Sequence, residues 1–326
     1  MFRQIKVRSR VLLVIIVAIL VAGGCAMLEK HESPRIMFIP KSQISSFWKI
    51  TIEGFETAIA EYGARGTICS TKHEEDYEGQ AKIVRDAVET GYDAIVISAN
   101  SYKKLAESVQ YAINSGVEVV VVDSDVDVEA VKVRVSTDNY QAGYEMGQTM
   151  ASLMKYKGNI GMLTFKSYTE NLEKRIQGFK DAIEEHEDIK IVAEVETLSS
   201  EQDAMRGTRE LVESNKEING IVSFNEIITV AMGKEIEEMQ AQNLVAMGFD
   251  NNMQVIDYLE RGILDGTVVQ NQFAMGYLGA QYAFELLNGE KIENEIIDTG
   301  VNIVTRENLF DPVIQTILFP FEVEEG

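Results

Sequence analysis

The sequence predicts an α/β protein that is built from two doubly wound parallel-sheet lobes. Short runs rich in β-branched residues alternate along the chain with segments of helical periodicity, which indicates βαβ units with helices on both faces of a sheet. The run 117–123 (VEVVVVD) is apolar over most of its length, as a strand covered on both faces should be. The 326 residues contain too many such units for one compact core, so two similar domains connected by several ordered strands are expected.

Eight runs are predicted as strands. They cover residues 35–39, 94–98, 117–123, 160–165, 189–195, 218–224, 243–249 and 266–270. The segment after the first run, residues 47–63 (FWKITIEGFETAIAEYG), shows the helical pattern that recurs between the strands. Its residues Ile52, Phe55 and Ile59 fall on one face, and Gly63 ends the helix.

The first 25 residues predict an export signal followed by a lipid anchor. Residues 1–10 carry four positive charges, residues 11–22 are an apolar run of twelve, and GGC follows. The apolar run is shorter than the roughly 20 residues that a membrane span needs. The small residues before Cys25 resemble the lipobox of bacterial lipoproteins, in which the cysteine carries the lipid. A signal anchor that is not cleaved is the alternative; residues 26–34 are interpreted as a tether, and both interpretations place the remaining chain outside the cytoplasmic membrane.

The charge balance argues against nucleic acid as a partner. The chain has 52 Asp and Glu residues against 30 Lys and Arg residues, and a surface of that sign repels phosphate backbones. The three histidines and two cysteines show no metal-ligand spacing, and Cys69 has no disulfide partner if Cys25 is lipidated. No nucleophile–base pair stands out either. We therefore expect a protein that is not an enzyme and that uses no metal or cofactor.

Polar side chains follow most of the predicted strands, at the sheet edge where open parallel sheets bind ligands. Lys41, Asp123, Asp250 and Gln270 occupy such positions. Asp, Asn, Gln and Arg side chains offer donors and acceptors in fixed planar arrangements, which suits a small ligand with many hydroxyl groups. Asp and Asn at these points are also the commonest helix N-caps, so capping remains an alternative role for several of them.

Two adjacent aromatic residues, Phe47 and Trp48, begin the first predicted helix. Neighbouring residues on a helix point about 100° apart, so the two rings cannot both lie on the stripe that faces the core. A place in the core explains one of them. A ligand that needs a flat apolar surface explains both.

The order of these segments resembles the periplasmic sugar-binding proteins of the ribose-binding type, which share their fold with the effector domain of Lac-type repressors. The resemblance spans about residues 35–307. It is carried by FWKITIEGFETAIAEYG, YDAIVIS, VVVVD, STDNYQAGYEMG, EKRIQGFKDAI, INGIVSFNEIITVAMG, VAMGFDNN and GTVVQNQFAMGYLGAQYAFELLNGE. It implies the type 1 periplasmic binding protein fold, with two lobes joined by a three-segment hinge. The implied boundaries are 35–137 and 271–300 for the N-terminal lobe, and 138–270 and 301–326 for the C-terminal lobe and tail.

The resemblance also implies a ligand between the lobes, with aromatic rings on both sides of a sugar and Asp, Asn and Arg on its hydroxyl groups. The implied ligand-binding positions are Ser45, Phe47, Trp48, Asp123, Thr137, Arg175, Asn225, Asp250 and Gln270. The sequence departs from the family at Ser45-Ser46, where Asn-Pro is common, and at Ser124, where Arg often follows the aspartate. Lys41 is a further predicted ligand residue, because FIPK and VDSD are also similar to the binding proteins for furanosyl-type signals.

These features predict a lipid-anchored, monomeric solute-binding protein that captures a monosaccharide and delivers it to an ABC permease. A sensory protein that reports its bound state to a membrane sensor kinase is the alternative. A repressor is not expected, because the segment before the lobes is predicted to be an export signal and not a DNA-binding helix pair. A glycoside hydrolase that uses Glu170, Asp123 and Asp250 is the least favoured interpretation. The apolar tail, residues 308–326, is predicted to pack back across a lobe or the hinge.

Overall fold

The computed structural model describes residues 33–166, 169–241, 243–292 and 295–319. The predicted export signal, Cys25 and residues 26–32 of the tether lie outside these residues. From Pro34 onward the chain forms one compact unit. Among the described residues, no helix has the length and apolar character needed to cross a membrane.

Twelve strands and ten helices make up the described part of the chain. The strands are β1 (Arg35–Ile39), β2 (Arg65–Ile68), β3 (Ala94–Ile97), β4 (Glu118–Val122), β5 (Val133–Ser136), β6 (Gly158–Phe165), β7 (Ile189–Thr197), β8 (Gly220–Ser223), β9 (Val245–Phe249), β10 (Gly266–Gln270), β11 (Glu295–Asp298) and β12 (Val301–Thr305). The helices are α1 (Ser46–Tyr62), α2 (Tyr77–Glu89), α3 (Ala106–Asn114), α4 (Asn139–Leu153), α5 (Glu170–Glu184), α6 (Glu201–Ser214), α7 (Glu226–Glu238), α8 (Met253–Arg261), α9 (Gln272–Leu287) and α10 (Pro312–Leu318).

The strands form two six-stranded sheets of matching architecture. The first sheet has the order β11-β5-β4-β3-β1-β2, and the second has the order β12-β10-β9-β8-β6-β7. Every pairing is parallel except that of β10 with β12, which is antiparallel. The predicted fold class, two lobes with doubly wound parallel sheets, is therefore confirmed. We refer to the part of the chain around the first sheet as the N-terminal lobe and to that around the second as the C-terminal lobe.

The chain passes from one sheet to the other three times, after β5, after β10 and after β11. The expected three-segment hinge is thus present. Thr137, Asn271 and Gly300 lie in these crossings. Because all three crossings directly follow a strand at its carboxyl end, they bring residues of the hinge to the edge of the sheets where a ligand is expected.

Four strands were not predicted from the sequence: β2, β5, β11 and β12. Three of them are edge strands, and they are short and largely unburied, so no apolar run marks them. The fourth, β5, alternates between buried and half-buried residues over only four positions. A hydrophobic-run criterion detects strands whose residues are buried on both faces, such as β3 and β4, and it misses strands that are largely exposed or that alternate over only a few positions.

One helix pair on each lobe packs with backbones in close contact, α1 with α9 and α4 with α5. A Cβ atom at Gly276 would overlap the carbonyl oxygen of Thr51, and one at Gly143 would overlap the carbonyl oxygen of Arg175. Glycine is therefore required where these helices cross. In the second pair this close approach fixes the position of Arg175, which lies on α5, relative to α4.

The end of the described chain packs against the C-terminal lobe. Leu309 and Leu318 are buried in the core of that lobe, and Ile314 and Ile317 pack against it from α10. Asp311 caps α10 by accepting a hydrogen bond from the backbone N–H of Val313. The expectation that the tail packs on a lobe holds for residues 308–319, and residues 320–326 lie outside the described part of the chain.

Candidate functional site

A cleft lies between the two lobes at the carboxyl ends of their strands. It contains about 780 Å³ of space, counting its opening to solvent. The residues that line it are Lys41, Ser45, Phe47, Trp48, Glu74, Glu75, Asn100 and Asp123 from the N-terminal lobe and Phe165, Lys166, Thr169, Asn171, Leu172, Arg175, Ser199, Asn225, Glu226, Ile227, Asp250 and Gln270 from the C-terminal lobe.

Nine of the ten ligand-binding residues predicted from the sequence line this cleft. The exception is Thr137, which lies in the first crossing and is buried behind the cleft wall. Its hydroxyl donates to Oε1 of Gln270 at 2.9 Å. The structure therefore brings nine of the predicted residues together in the cleft. Thr137 does not line the cleft but supports Gln270, which does.

The N-terminal side of the cleft is built around Asp123, which directly follows β4. Its carboxylate lies 3.2 Å from Nζ of Lys41 and accepts hydrogen bonds of 2.9 Å from the hydroxyl groups of Ser98 and Ser124. Burial by itself raises the pKa of Asp123, but Lys41, Arg175 and the two hydroxyl donors outweigh it and hold the pKa below its usual value. This aspartate is a buried, paired carboxylate that stays ionised.

Phe47 and Trp48 both line the cleft and both belong to the hydrophobic core of the N-terminal lobe. They are only 6% and 3% exposed, and their ring centroids lie 4.8 Å apart in an edge-to-face arrangement. The wall of the cleft is continuous with the core, so one residue can serve both. Nε1 of Trp48 donates to Oε1 of Glu74 at 2.8 Å, and Nζ of Lys41 lies 5.9 Å from the centroid of the Trp48 ring.

Glu74 is a residue of the cleft that the sequence did not reveal. Burial raises its pKa, while Lys41 and the hydrogen bond from Trp48 act in the opposite direction. It lies in the loop that leads to α2, among several acidic residues of which Asp76 is the helix N-cap. In the sequence Glu74 is one of several acidic residues before a helix. Only its hydrogen bond with Trp48 distinguishes it from the others.

The C-terminal side is organised by Arg175, which is 5% exposed. Its Nε donates to Oδ1 of Asn139 at 2.7 Å, its Nη1 to the carbonyl oxygen of Phe224 at 2.9 Å, and its Nη2 to Oε1 of Gln270 at 3.2 Å. Its Cζ lies 3.8 Å from the centroid of the Phe249 ring. A guanidinium held by three acceptors and a stacked ring is fixed in position by groups of the protein itself.

Asp250 directly follows β9 and accepts a 2.7 Å hydrogen bond from Nε2 of Gln270. Burial raises its pKa to about 7, against the lowering effects of Arg175 and Gln270 and with further raising effects from Glu226 and Asp123. This carboxyl group is therefore partly protonated near neutral pH, so it can donate as well as accept a hydrogen bond.

Asn225 combines the two roles that were considered for such residues. It is the N-cap of α7, where its Oδ1 accepts from the backbone N–H of Ile228 at 2.9 Å, and its Nδ2 donates to the hydroxyl of Ser199 at 2.9 Å. It also lines the cleft. Ser45 is the N-cap residue of α1 but makes no capping hydrogen bond with its side chain.

Hydrogen bonds cross the cleft and join the two lobes directly. Glu226 accepts from the backbone N–H groups of Ser46 and Phe47 at 3.2 and 3.0 Å. Asn171 donates through Nδ2 to the backbone and side-chain oxygens of Asp123 at 3.2 and 3.1 Å. The sequence placed Asn171 and Glu226 near strand ends but did not predict them as site residues. Their partners lie far away along the chain, and no local pattern shows which residues will meet.

Within the described ranges, no group of three or more His, Cys, Asp or Glu side chains is arranged to hold a metal ion. The cleft instead offers fixed hydrogen-bond donors and acceptors on one wall and aromatic surface on the other. That combination can bind and orient a polar molecule of small size.

The family described as "Periplasmic binding protein domain" matches residues 36–291, which is most of the chain. The chain is 26% identical to the D-ribose/D-allose-binding protein of Pseudomonas aeruginosa, over 85% of this chain and 90% of that protein. It is 25% identical to the D-apiose import binding protein of Actinobacillus succinogenes, over 71% of this chain and 73% of that protein.

Two solved structures are similar over almost their whole length. A carbohydrate transporter solute-binding protein from Agrobacterium radiobacter, in complex with D-arabinose, has a TM-score of 0.85 and 29% identity, and covers 89% of this chain and 100% of its own. An ABC transporter solute-binding protein from Agrobacterium vitis, with bound D-fucose, has a TM-score of 0.82 and 29% identity, and covers 87% of this chain and 99% of its own. The chain belongs to the periplasmic binding protein family, which confirms the predicted class of solute-binding protein and implies an extracytoplasmic location.

Proposed function

We propose that the protein captures a small neutral sugar, a pentose or a hexose, in the cleft between its lobes and delivers it to an ABC permease. The observation that carries this proposal is the rigid polar wall formed by Arg175, Gln270 and Asp250, which faces the rings of Phe47 and Trp48 across the cleft. A sugar ring has two apolar faces and a rim of hydroxyl groups, so aromatic surface and fixed donors and acceptors suit it together.

The charges of the cleft favour a neutral ligand. Five acidic residues line it against three basic ones: Glu74, Glu75, Asp123, Glu226 and Asp250 against Lys41, Lys166 and Arg175. Lys41 is already paired with Asp123, and Arg175 already donates to three acceptors. The acidic residues of the cleft therefore outnumber its basic ones, and three of the five N–H donors of Arg175 are already in use, so a carboxylate or a phosphate would meet net repulsion.

The test is a thermal-unfolding panel on the full chain with D-arabinose, D-fucose, D-ribose and D-allose. A sugar present at 100 times its Kd should stabilise the protein by about 2.7 kcal/mol. D-ribose 5-phosphate is the matched anionic probe for D-ribose and should give no shift. If no sugar of the panel raises the unfolding temperature, or if the phosphate ester raises it as much as D-ribose does, the proposal is wrong.

The site assignment is tested with the same assay. Arg175→Ala and Asp250→Ala should each abolish the shift that the best sugar of the panel gives. Lys174→Ala is the matched control, because Lys174 lies beside Arg175 on α5 with its side chain 56% exposed. Lys41→Ser, which replaces the cation by a small polar side chain, should change the order of preference among the four sugars if Lys41 contacts the ligand.

The family membership supports transport over the sensory alternative, since both structural neighbours described above are transporter proteins. We further propose that Cys25 carries a lipid and holds the protein, as a monomer, at the outer face of the cytoplasmic membrane. Metabolic labelling with a fatty-acid analogue should mark the wild-type chain and leave Cys25→Ser unlabelled. Equal labelling of both chains would contradict the anchor.

A further inference from the structure

The N-terminus of α1 is capped by a residue of the opposite lobe. Oε2 of Glu226 accepts from the backbone N–H of Phe47 at 3.0 Å, and Oε1 accepts from the backbone N–H of Ser46 at 3.2 Å. The N-cap residue Ser45 provides no side-chain cap of its own. The first-turn N–H groups of a helix have no partner within the helix, so a carboxylate at this point satisfies two of them and also interacts favourably with the helix dipole.

Glu226 is itself held in place. It is 7% exposed, and Nδ2 of Asn252 donates to its Oε1 at 2.8 Å. Asn252 is in turn fixed as the N-cap of α8, where it accepts from the backbone N–H groups of Gln254 and Val255 at 2.9 Å. The carboxylate therefore belongs rigidly to the C-terminal lobe, although two of its hydrogen bonds go to the N-terminal lobe. Charge-assisted hydrogen bonds in such a buried setting are stronger than ordinary ones.

We propose that Glu226 is a positioning residue that couples ligand binding to contact between the lobes. The first turn of the helix that it caps contains Phe47 and Trp48, so the same contact fixes where the aromatic pair lies along the cleft. Because the donors and the acceptor belong to different lobes, the contact exists only while the lobes are together. Its free energy stabilises that arrangement, and ligand that binds between the lobes gains affinity from it. This inference rests on the proposed sugar-binding function.

The contact with Ser46 also distinguishes this chain from the Asn-Pro pattern that is common at this point in the family it resembles. Proline has no N–H to donate, whereas Ser46 donates to Glu226. Ser46 is the first helical residue of α1, a position at which proline is well tolerated. The substitution Ser46→Pro therefore removes one of the two hydrogen bonds from α1 to Glu226 without breaking the helix.

The experiment compares Glu226→Gln, Ser46→Pro, the double variant and Glu238→Gln on the full chain. Glu238 is the matched control, because it is on the same helix, carries the same charge and is exposed. In Glu226→Gln one carboxylate oxygen becomes an NH₂ group, which cannot accept a hydrogen bond from an N–H group. Titration calorimetry with D-arabinose and D-ribose should show affinity reduced about 10-fold in Glu226→Gln and about 3-fold in Ser46→Pro. The affinity of the double variant should fall by less than the product of the two single fold-losses, and the affinity of Glu238→Gln should stay within about 2-fold of wild type.

A second readout separates positioning from a general loss of stability. Amide hydrogen exchange at residues 46 and 47 should be faster in Glu226→Gln than in Glu238→Gln with sugar bound, while exchange in the buried strand β9 stays the same. Unchanged affinity in Glu226→Gln, or exchange at residues 46 and 47 equal to that of the control, overturns the inference while leaving the sugar-binding proposal standing.

If wild type binds none of the four sugars of the panel, the proposed function fails, and the inference is then judged on exchange without added sugar. Faster exchange at residues 46 and 47 in Glu226→Gln than in Glu238→Gln supports the contact between the lobes. Equal exchange in the two variants overturns it.

Discussion

The two lobes place an aspartate at the same point of the same architecture, yet the two carboxyl groups have opposite pKa shifts. Asp123 follows β4 and Asp250 follows β9, and each of these strands is third in the order of its sheet. Both residues have a left-handed backbone, with φ of 57° and 70°. A non-glycine residue is uncommon in this conformation, and its occurrence at matching positions indicates that each carboxyl group is aimed at the cleft.

Their surroundings explain the difference. Asp123 has a cation, Lys41, in direct contact, together with two hydroxyl donors, and its pKa is lowered. Asp250 has a cation nearby, but the hydrogen bonds of Arg175 go to neutral acceptors, and burial raises the pKa of Asp250 to about 7. A buried carboxylate therefore stays ionised when a cation contacts it directly and its remaining lone pairs are satisfied. A cation whose donors are used elsewhere does not have the same effect.

The largest expected effect comes from removing the cation of the C-terminal lobe. Arg175→Ala leaves the oxygens of Asn139 and Phe224 without their donor and removes the cation that most lowers the pKa of Asp250. We expect the free energy of unfolding to fall by about 5 kcal/mol. Urea unfolding followed by circular dichroism measures this change.

Lys174→Ala serves as the control for this variant, since the side chain of Lys174 is largely exposed. Its removal should change the free energy of unfolding by less than about 0.5 kcal/mol. Arg175→Lys keeps the charge but not the planar fork, and should recover only part of the loss. A loss below about 1 kcal/mol in Arg175→Ala would show that the guanidinium does not organise this side of the cleft.

The second effect is the pH dependence that Asp250 gives to stability. Its pKa is about 7 in the folded protein against 3.8 in the reference state, so the folded protein binds the proton more tightly. Its contribution to stability is fully present below about pH 4 and is lost as the pH rises through about 7. A shift of about three units corresponds to about 4 kcal/mol.

Asparagine at this position cannot ionise. The free energy of unfolding of Asp250→Asn, relative to that of wild type, should therefore rise by up to about 4 kcal/mol between pH 4 and pH 8 in urea unfolding. Asp257→Asn, a substitution of an exposed aspartate on the adjacent helix α8, controls for groups that titrate in both proteins. A difference between wild type and Asp250→Asn that is flat with pH would mean that Asp250 is ionised throughout, as Asp123 is.

Much of this arrangement could be predicted from the sequence, because it follows from local pattern. Most of the inner strands are apolar runs, and in parallel sheets whatever follows such a run lies at the binding edge, which is why Asp123, Asp250 and Gln270 were found. Glu74 and Glu226 were missed because their roles depend on contacts between distant parts of the chain: the hydrogen bond from Ser46 to Glu226 joins residues 180 positions apart. The pKa difference between the two aspartates was also beyond the sequence, since it depends on where each cation directs its donors.

The smallest of the three effects concerns the ion pair of the N-terminal lobe. Lys41→Met removes the cation that contacts Asp123 and should let the pKa of Asp123 rise. The hydroxyl donors Ser98 and Ser124 remain, so the expected loss of unfolding free energy at pH 7 is about 2 kcal/mol, less than for a carboxylate left with no partner. Nuclear magnetic resonance titration of Asp123 and urea unfolding measure the two consequences.

The double variant Lys41→Met/Asp123→Asn decides whether the pair itself is responsible. Replacing both charges removes the cost of burying them, so the double variant should be within about 1 kcal/mol of wild type, while each single variant is less stable. If the two losses simply add, Lys41 stabilises the lobe through its stem and its position over the Trp48 ring. Direct contact with a cation would then not be what separates Asp123 from Asp250, and the lowered pKa of Asp123 would have to come from its hydroxyl donors and from Arg175.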